Sequence, residues 1–333
     1  MSHVADSLRR YEPLIDDWAA FADACARPLP PVVWVNPLRR AALDRLNEGD
    51  GLEPAVAAAA ERHDDAAAPL AARLKARGYG CEPVAWYPGA MRLAGLDKPG
   101  LTFEYMLGLY HVQEEVSLIP ARLLAPRPGE RILDVCAAPG GKTAQLSVAT
   151  DCRGTVVAND VRVDRLRALG SNCERLGLLN VAMTAQDGAA FPLAAGPFDA
   201  ILLDVPCSCE GNVRQGSGPG VHHGEPEPFL KGRSGLQATL LGRAWKLLRP
   251  GGRLVYATCT FAPEENEMVL DYSLGDDAVI EPIAIEGLVA APGVTEWRGQ
   301  SLRPDCAHLA RLWPHLNDTG GFAVAVVRKD GEA

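Results

Sequence analysis

Nowhere in the 333 residues does an apolar run approach the roughly 20 residues that cross a bilayer, which excludes a helical membrane span. The polar start Met1-Ser2-His3-Val4-Ala5-Asp6 lacks the apolar core of a secretion signal. Cys-x-x-Cys is missing too, and the nine cysteines are irregularly spaced. That argues against a structural zinc site, and no metal is expected. A disulfide scaffold does not suit a long chain without a secretion signal, so reduced thiols are expected, some of them reactive. Net positive charge is absent as well. The formal charge is -9, which offers a polyphosphate backbone no overall attraction, although a local basic groove can still bind one. There is no internal repeat. What is present, 47% hydrophobic and 23% charged residues, is ordinary for a globular protein. A monomeric, cytoplasmic protein is expected.

The length suits a full catalytic domain with a smaller one attached, divided as 1–105 and 106–333. Residues 1 to about 105 read as mostly helical and Ala-rich, with Val56 to Ala72 a strong helix former. Pro28, Pro30 and Pro31 interrupt this region before the apolar run Val32-Val33-Trp34-Val35. From about Pro128, short apolar runs alternate with helical stretches. Strands are expected at Arg131–Cys136, Gly154–Ala158, Val181–Thr184, Phe198–Leu203, Arg253–Ala257 and Phe322–Val327. Helices are expected at Thr143–Thr150, Val163–Leu176 and Leu236–Leu248, with a long loop over Pro206–Ser234. The alternation implies an α/β, doubly wound sheet.

Asp134-Val-Cys-Ala-Ala-Pro-Gly-Gly-Lys-Thr143 lies between the first strand and a helix. Paired glycines let the backbone approach a ligand there, and the helix start offers unpaired N–H groups. A nucleotide-binding P-loop needs glycine where Cys136 stands, and the dinucleotide fingerprint needs separated glycines, so both fail. Asp160, Asp187 and Asp204 close the next three strands at the same sheet edge, where open α/β sheets bind ligands. Asp160 suits ribose hydroxyls and Asp187 lies within reach of an adenine. Two thiols reach that edge: Cys207 in Asp204-Val-Pro-Cys-Ser-Cys209, and Cys259 in Tyr256-Ala-Thr-Cys-Thr260. A lone cysteine is usually a small buried hydrophobe, which suits Cys25, Cys81, Cys152, Cys173 and Cys306.

These motifs resemble the NOL1/NOP2/Sun family of RNA 5-methylcytosine methyltransferases. Gln113-Glu114, DVCAAPGGKT, Asn159-Asp160, DVPCS, YATCT, Glu265-Asn266-Glu267 and Gly320-Gly321-Phe322 follow in the family's order over about residues 105 to 328. Val35-Asn36-Pro37-Leu38-Arg39 is similar, more loosely, to its N-terminal RNA-binding segment. The resemblance implies a Rossmann-like class I methyltransferase sheet with a smaller, mostly helical α+β N-terminal domain. It implies an S-adenosylmethionine site on Cys136, Ala137, Ala138, Pro139, Gly140, Gly141, Lys142, Asp160, Asp187 and Asp204. It also implies Cys259 as nucleophile, Cys207 as its helper in release, and Asp204 as a hydrogen-bond partner of cytosine N3. The chemistry suits these residue types. Cytosine C5 is a poor nucleophile until a thiolate adds at C6, and a thiol of pKa about 8.5 is a strong one even when little is ionised. One departure stands out: Cys209 follows the Pro-Cys-Ser triplet where family members commonly carry glycine.

The expected partner is RNA, ribosomal before transfer RNA, an order that rests on family likeness alone. With no separate RNA-binding domain expected after residue 330, target choice falls to the N-terminal domain and loops. Arg39, Arg40, Lys75 and Arg77 are candidates for a basic rim, and Arg214 with Lys231-Gly232-Arg233 for phosphate contacts. Ordinary solvated helix charges explain them equally well. His222 and His223 lack partners at metal-ligand spacing, and Trp313-Pro314-His315 reads as structural. Two other functions compete. A nitrogen methyltransferase needs no thiol nucleophile, and a non-catalytic assembly factor need not keep Cys259 or the Gly-rich turn.

Overall fold

The computed structural model describes residues 7–61, 63–215 and 227–331. A small antiparallel sheet comes first, from β1 (Val32–Val35), β2 (Gly80–Pro83), β3 (Ala90–Ala94) and β4 (Tyr110–Val112), in the order β2-β3-β1-β4. Alternation along a strand sends Val33 and Val35 to one face and Val32 and Trp34 to the other. Both faces are covered, which is why Val32–Val35 is apolar throughout. Val33 and Val35 pack with Leu43, Leu70 and Leu74 of the helices Arg40–Gly49 and Ala68–Ala76. Val32 and Trp34 join the core beneath the larger sheet. The small sheet runs past residue 105, because β4 pairs with β1 through Val33 and Val112.

The continuous helix expected over Val56–Ala72 is instead two, Glu53–Ala60 and Ala68–Ala76. Asp64 separates them. Its side chain accepts from the Ala67 and Gly89 N–H groups, a competition with helical hydrogen bonding that short carboxylates favour. Pro69 then fits the first turn of the second helix.

The large sheet contains β5 (Arg131–Asp134), β6 (Thr155–Asn159), β7 (Val181–Thr184), β8 (Phe198–Asp204), β9 (Leu248–Thr258) and β10 (Ala278–Glu281). It also contains β11 (Ala291–Pro292), β14 (Ala310–Leu312) and β15 (Phe322–Lys329). Between them lies a separate hairpin of β12 (Glu296–Trp297) and β13 (Gln300–Ser301). The order is β11-β14-β15-β9-β8-β5-β6-β7, with β10 against β15. β7, β6, β5, β8 and β9 are parallel and β15 is antiparallel to β9. The chain winds from β5 outward to β7, then returns to β8 on the other side. The carboxyl end of β5 is thus the switch point where such sheets bind ligands.

All six expected large-sheet strands form. β9 starts earlier than expected, and its register with β8 jumps from Phe198–Leu248 to Ala200–Arg253, so Pro250-Gly251-Gly252 is absorbed as an irregularity. The expected loop over Pro206–Ser234 is shortened at both ends, by a 3-10 turn at Glu210–Gln215 and a helix from Glu227 to Leu247. Leu230, Leu240, Leu241 and Ala244 are buried along that helix, and that packing outweighs Gly232 and Gly235. His222 and His223 lie outside the described residues. The first described segment packs on the large-sheet half of the molecule. Leu8, Tyr11, Phe21 and Cys25 share a core with Val213, Phe261 and Trp313. Among the described residues no helix is long and apolar enough to cross a membrane.

Candidate active site

The Gly-rich turn leaves β5 and enters the helix Gly141–Ala149. Asn159 fastens it to its neighbours. The amide donates to Val135 and Gln186 carbonyls at 3.0 Å, while its oxygen accepts from Thr184 and Gln186. Asp160 accepts from the Ala138 N–H at 3.2 Å and the Arg162 N–H at 2.9 Å. A carboxylate has about four lone-pair directions, so acceptor capacity remains for hydroxyls. Asp187 is exposed and caps Ala189 at 3.0 Å.

A cavity of about 250 Å³ opens at this switch point. Its walls are Cys136 to Pro139, Gly141, Lys142, Asp134 and Asp204, closed by His111 to Gln113 and Ser117 from β4 and the turn after it. Cys136, Ala137, Ala138, Pro139, Gly141, Lys142 and Asp204 are thus brought together, whereas Gly140, Asp160 and Asp187 stand outside that wall. Gly140 holds the turn at φ 103°, a backbone that glycine favours. At Gly141 a Cβ would lie 3.0 Å from Gln113 Oε1 and 3.2 Å from His111 Nε2. A side chain there would require Gln113 and His111 to give by a few tenths of an ångström.

Three residues of this cavity to which the sequence reading gave no site role, Asp134 and Gln113 from its motifs and His111, shape its chemistry. Asp134 is fully buried, and desolvation pushes its carboxyl up to about 7 despite a 2.7 Å hydrogen bond from Thr143. Its place as the last strand residue before the glycines was the available signal. His111 is held neutral, its pKa pushed down to about 4 by burial and by Arg175. The Arg175 guanidinium donates to His111 Nδ1 at 2.8 Å, which leaves the proton on Nε2 as a donor. Gln113 accepts from Trp34 Nε1 at 3.0 Å and donates to the Ser117 carbonyl and to Gln145. The first contact ties the small sheet to the cavity wall.

The parallel pairing of β8 and β9 sets Asp204 opposite Ala257. The chain continues three residues to Cys207 and two to Cys259, and their sulfurs meet at 3.3 Å. Both loops are clamped from below. Glu265 accepts from the Ser208 N–H and from Gln237, Ser208 and Thr260 hydroxyls bond at 2.7 Å, and Asn266 accepts from Thr258 at 2.6 Å. The Gly211 N–H donates to the Cys259 carbonyl and the Gly321 N–H to the Gly211 carbonyl, each at 2.9 Å. Glu265, Asn266 and Gly321 thus support the cysteine loops without lining the cavity, while Glu267 pairs with Arg311 and the Gly320 N–H donates to Glu114. Asn212, missed from sequence, donates to Cys259 Sγ at 3.6 Å.

The hydrogen bond from Cys207 favours a Cys259 thiolate, but the neighbouring Cys209 thiol and burial outweigh it, and the net direction is upward. Cys207 is pushed up by its contacts with Cys209 and Cys259 and by burial. Lys142 Nζ pairs with Asp204 at 2.8 Å. Burial pulls the lysine down, yet the carboxylate prevails and it stays charged. Lysine therefore neutralises a carboxylate between the cavity and the thiols. The arrangement offers two adjacent thiols and a Lys142–Asp204 ion pair at a cavity that Asp134 also lines.

The suggested RNA-contact residues are mostly occupied. Arg40 pairs with Asp44 and Arg77 with Glu104. Arg39 donates to the Arg175 carbonyl, and Lys75 lies 3.3 Å from His63. Arg214 is buried against Asp318 and the carbonyls of Arg27 and Thr319, which makes it structural. Arg233 lies over the Phe229 ring on the helix Glu227–Leu247. Trp313 stacks on Phe261 at 5.0 Å, as a structural role requires.

Residues 121–328 match the family model described as 16S rRNA methyltransferase RsmB/F. A tRNA (cytosine(49)-C(5))-methyltransferase of Pyrococcus abyssi is 38% identical over 251 residues, 74% of this chain and 80% of that protein. A 28S rRNA (cytosine-C(5))-methyltransferase of Mus musculus is 35% identical over 267 residues, 78% of this chain but 33% of that protein. Among solved structures, a methyltransferase homolog from Pyrococcus horikoshii superposes with a TM-score of 0.77 at 30% identity, covering 99% of this chain and 100% of that one.

Proposed function

The chain belongs to the RsmB/F methyltransferases of the NOL1/NOP2/Sun family, and we propose from that premise that it methylates C5 of a cytosine in RNA through Cys259. The observation that carries the reading is the 3.3 Å contact of Cys207 and Cys259 beside the Lys142–Asp204 pair.

S-adenosylmethionine fits the cavity and supplies, when bound, an electrophilic methyl group. Asp134 and Asp204 suit its cationic groups, and the Gly141 helix start suits its carboxylate. Asp160 keeps acceptor capacity for the ribose, and Asp187 stands at the exposed rim for the adenine.

Cys259 enters as a thiol, so it needs a base. Asp204, paired with Lys142 beside the thiols, takes the thiol proton. The sulfur bonds to C6, the C5–C6 π electrons move toward N3, and Asp204 returns the proton to N3. Carbon C5 is then nucleophilic. After transfer, the C5 proton must leave and the C6–S bond must break. Cys207 gives its proton to the departing Cys259 sulfur and receives the one from C5, while N3 releases its own through Asp204 to solvent, the one proton that the reaction sets free. Asn212 steadies the sulfur as charge appears on it.

Ribosomal RNA is the first substrate, in keeping with the matched family description. Transfer RNA is the second reading, favoured by the 80% coverage of the archaeal tRNA enzyme. Cys259→Ala should abolish both methylation and any covalent protein–RNA species. Cys207→Ala should accumulate that species, visible as a retarded band on a denaturing gel. Full activity in Cys259→Ala would overturn the mechanism. Bisulfite sequencing of total RNA with and without the gene identifies the target.

A further inference from the structure

Cys209 has no step in that chemistry, yet its sulfur lies 4.0 Å from Cys207 Sγ. The sulfurs of Cys207, Cys209 and Cys259 all fall within 4.8 Å of one another. The backbone at Cys209 has φ 61°, a left-handed conformation that glycine adopts freely and residues with side chains rarely do. A thiol therefore stands at a position whose backbone favours no side chain, aimed into a cluster of two others. The absence of Cys-x-x-Cys gave no hint of this, because the third ligand arrives from a different strand.

We propose that these three sulfurs form a binding site for a thiophilic divalent cation, zinc being the reference ion. Two thiolates on a tetrahedral ion with bonds of about 2.3 Å lie about 3.8 Å apart. The observed 3.3 Å and 4.0 Å separations bracket that spacing. Three protein ligands leave a fourth position for water, the arrangement of an open zinc site. Cys209 and Cys259 are only partly buried, which gives an ion a way in. Binding replaces up to three S–H protons, released to solvent, with three metal–sulfur bonds, and no electron changes hands. Asn212 already donates to Cys259 Sγ and serves as an outer partner to the bound thiolate. An ion so held occupies the lone pair that Cys259 needs for C6, so it blocks methylation reversibly. This last consequence rests on the proposed nucleophilic role of Cys259; the site itself does not.

The test uses metal-free, full-length protein reduced with a phosphine. Cadmium ion is titrated while the thiolate-to-cadmium charge-transfer absorbance is followed, and zinc affinity is read by competition with a chromogenic chelator. The wild type should take one ion per chain. Cys209→Gly, which suits the left-handed backbone, should bind at least about tenfold more weakly, and its methylation, scaled to its own zinc-free rate, should resist zinc inhibition. Cys209→Ser is the second variant should glycine perturb the loop, and Cys152→Ser, outside the cluster, should bind as wild type. No charge-transfer band in wild type, or equal affinity in both Cys209 variants, overturns the site. Weakened binding with unchanged zinc inhibition overturns the blocking role. Methylation surviving in Cys259→Ala sinks the mechanism instead, and leaves the binding result standing on its own.

Discussion

Asp134 carries a consequence that can be measured without substrate. Its carboxyl titrates at 3.8 in an unfolded chain and, chiefly through burial, at about 7 in the fold. Between those values the folded protein holds a proton that the unfolded chain has released. Stability from this group is therefore full at low pH, falls as pH rises toward about 7, and changes no further above it. Asp134→Asn keeps an acceptor for Thr143 and removes the titration. The Tm of the Asn variant relative to wild type should rise between about pH 4 and about pH 7. A difference that stays flat over that range, in thermal unfolding followed by circular dichroism, contradicts the assignment. Sequence alone marked the position as a strand end beside glycines. It could not reveal the burial, because desolvation depends on which distant residues cover the group. The same holds for His111, whose neutrality comes first from burial and then from Arg175, 64 residues away.

At the scale of elements, the two cysteine loops are held by segments remote in sequence. Gly321 lies against the Phe261 ring so closely that a Cβ would sit 2.1 Å from it. Its N–H bonds Gly211, whose own N–H bonds the Cys259 carbonyl. Gly321→Ala should cost about 1–3 kcal/mol or more through overpacking, readable as a lower urea midpoint at constant m-value. Methylation should fall further than the unfolded fraction explains, because the Cys259 loop must move. Activity that tracks the folded fraction alone shows the chain of bonds to be uncoupled from the thiol. The motif Gly320-Gly321-Phe322 was legible, and so was its place in order. Its reason was not, since the ring it must clear lies 60 residues away along the chain.

The whole molecule depends on the joint between its sheets. Trp34 is buried on the face of the small sheet that shares a core with Ile119, Leu146 and Val255, and its indole N–H orients Gln113 at the cavity wall. Asn36 adds carbonyl contacts to Gly108 and Leu176 across the same joint. Trp34→Ala should cost about 3–5 kcal/mol and weaken cofactor binding in whatever protein remains folded. Trp34→Phe should keep most of the packing but lose the hydrogen bond. Calorimetry with S-adenosylhomocysteine separates the two. Equal cofactor affinity in wild type and both variants removes the small sheet from the site. The division expected at residue 105 is crossed twice, by β4 in the small sheet and by residues 8–25 packed on Phe261 and Trp313.

By itself, the sequence determined the alternation of strands and helices after residue 130, the Gly-rich turn, and the two thiols at strand ends. These are local properties, set by periodicity and by which residues tolerate a tight turn. Tertiary structure alone decided that β8 and β9 are neighbours, and so that Cys207 and Cys259 touch. It also decided that Lys142 meets Asp204, that Arg214 is buried rather than offered to phosphate, and that Cys209 joins the pair. Contacts between residues 50 or more positions apart depend on sheet order and register, which no local pattern encodes.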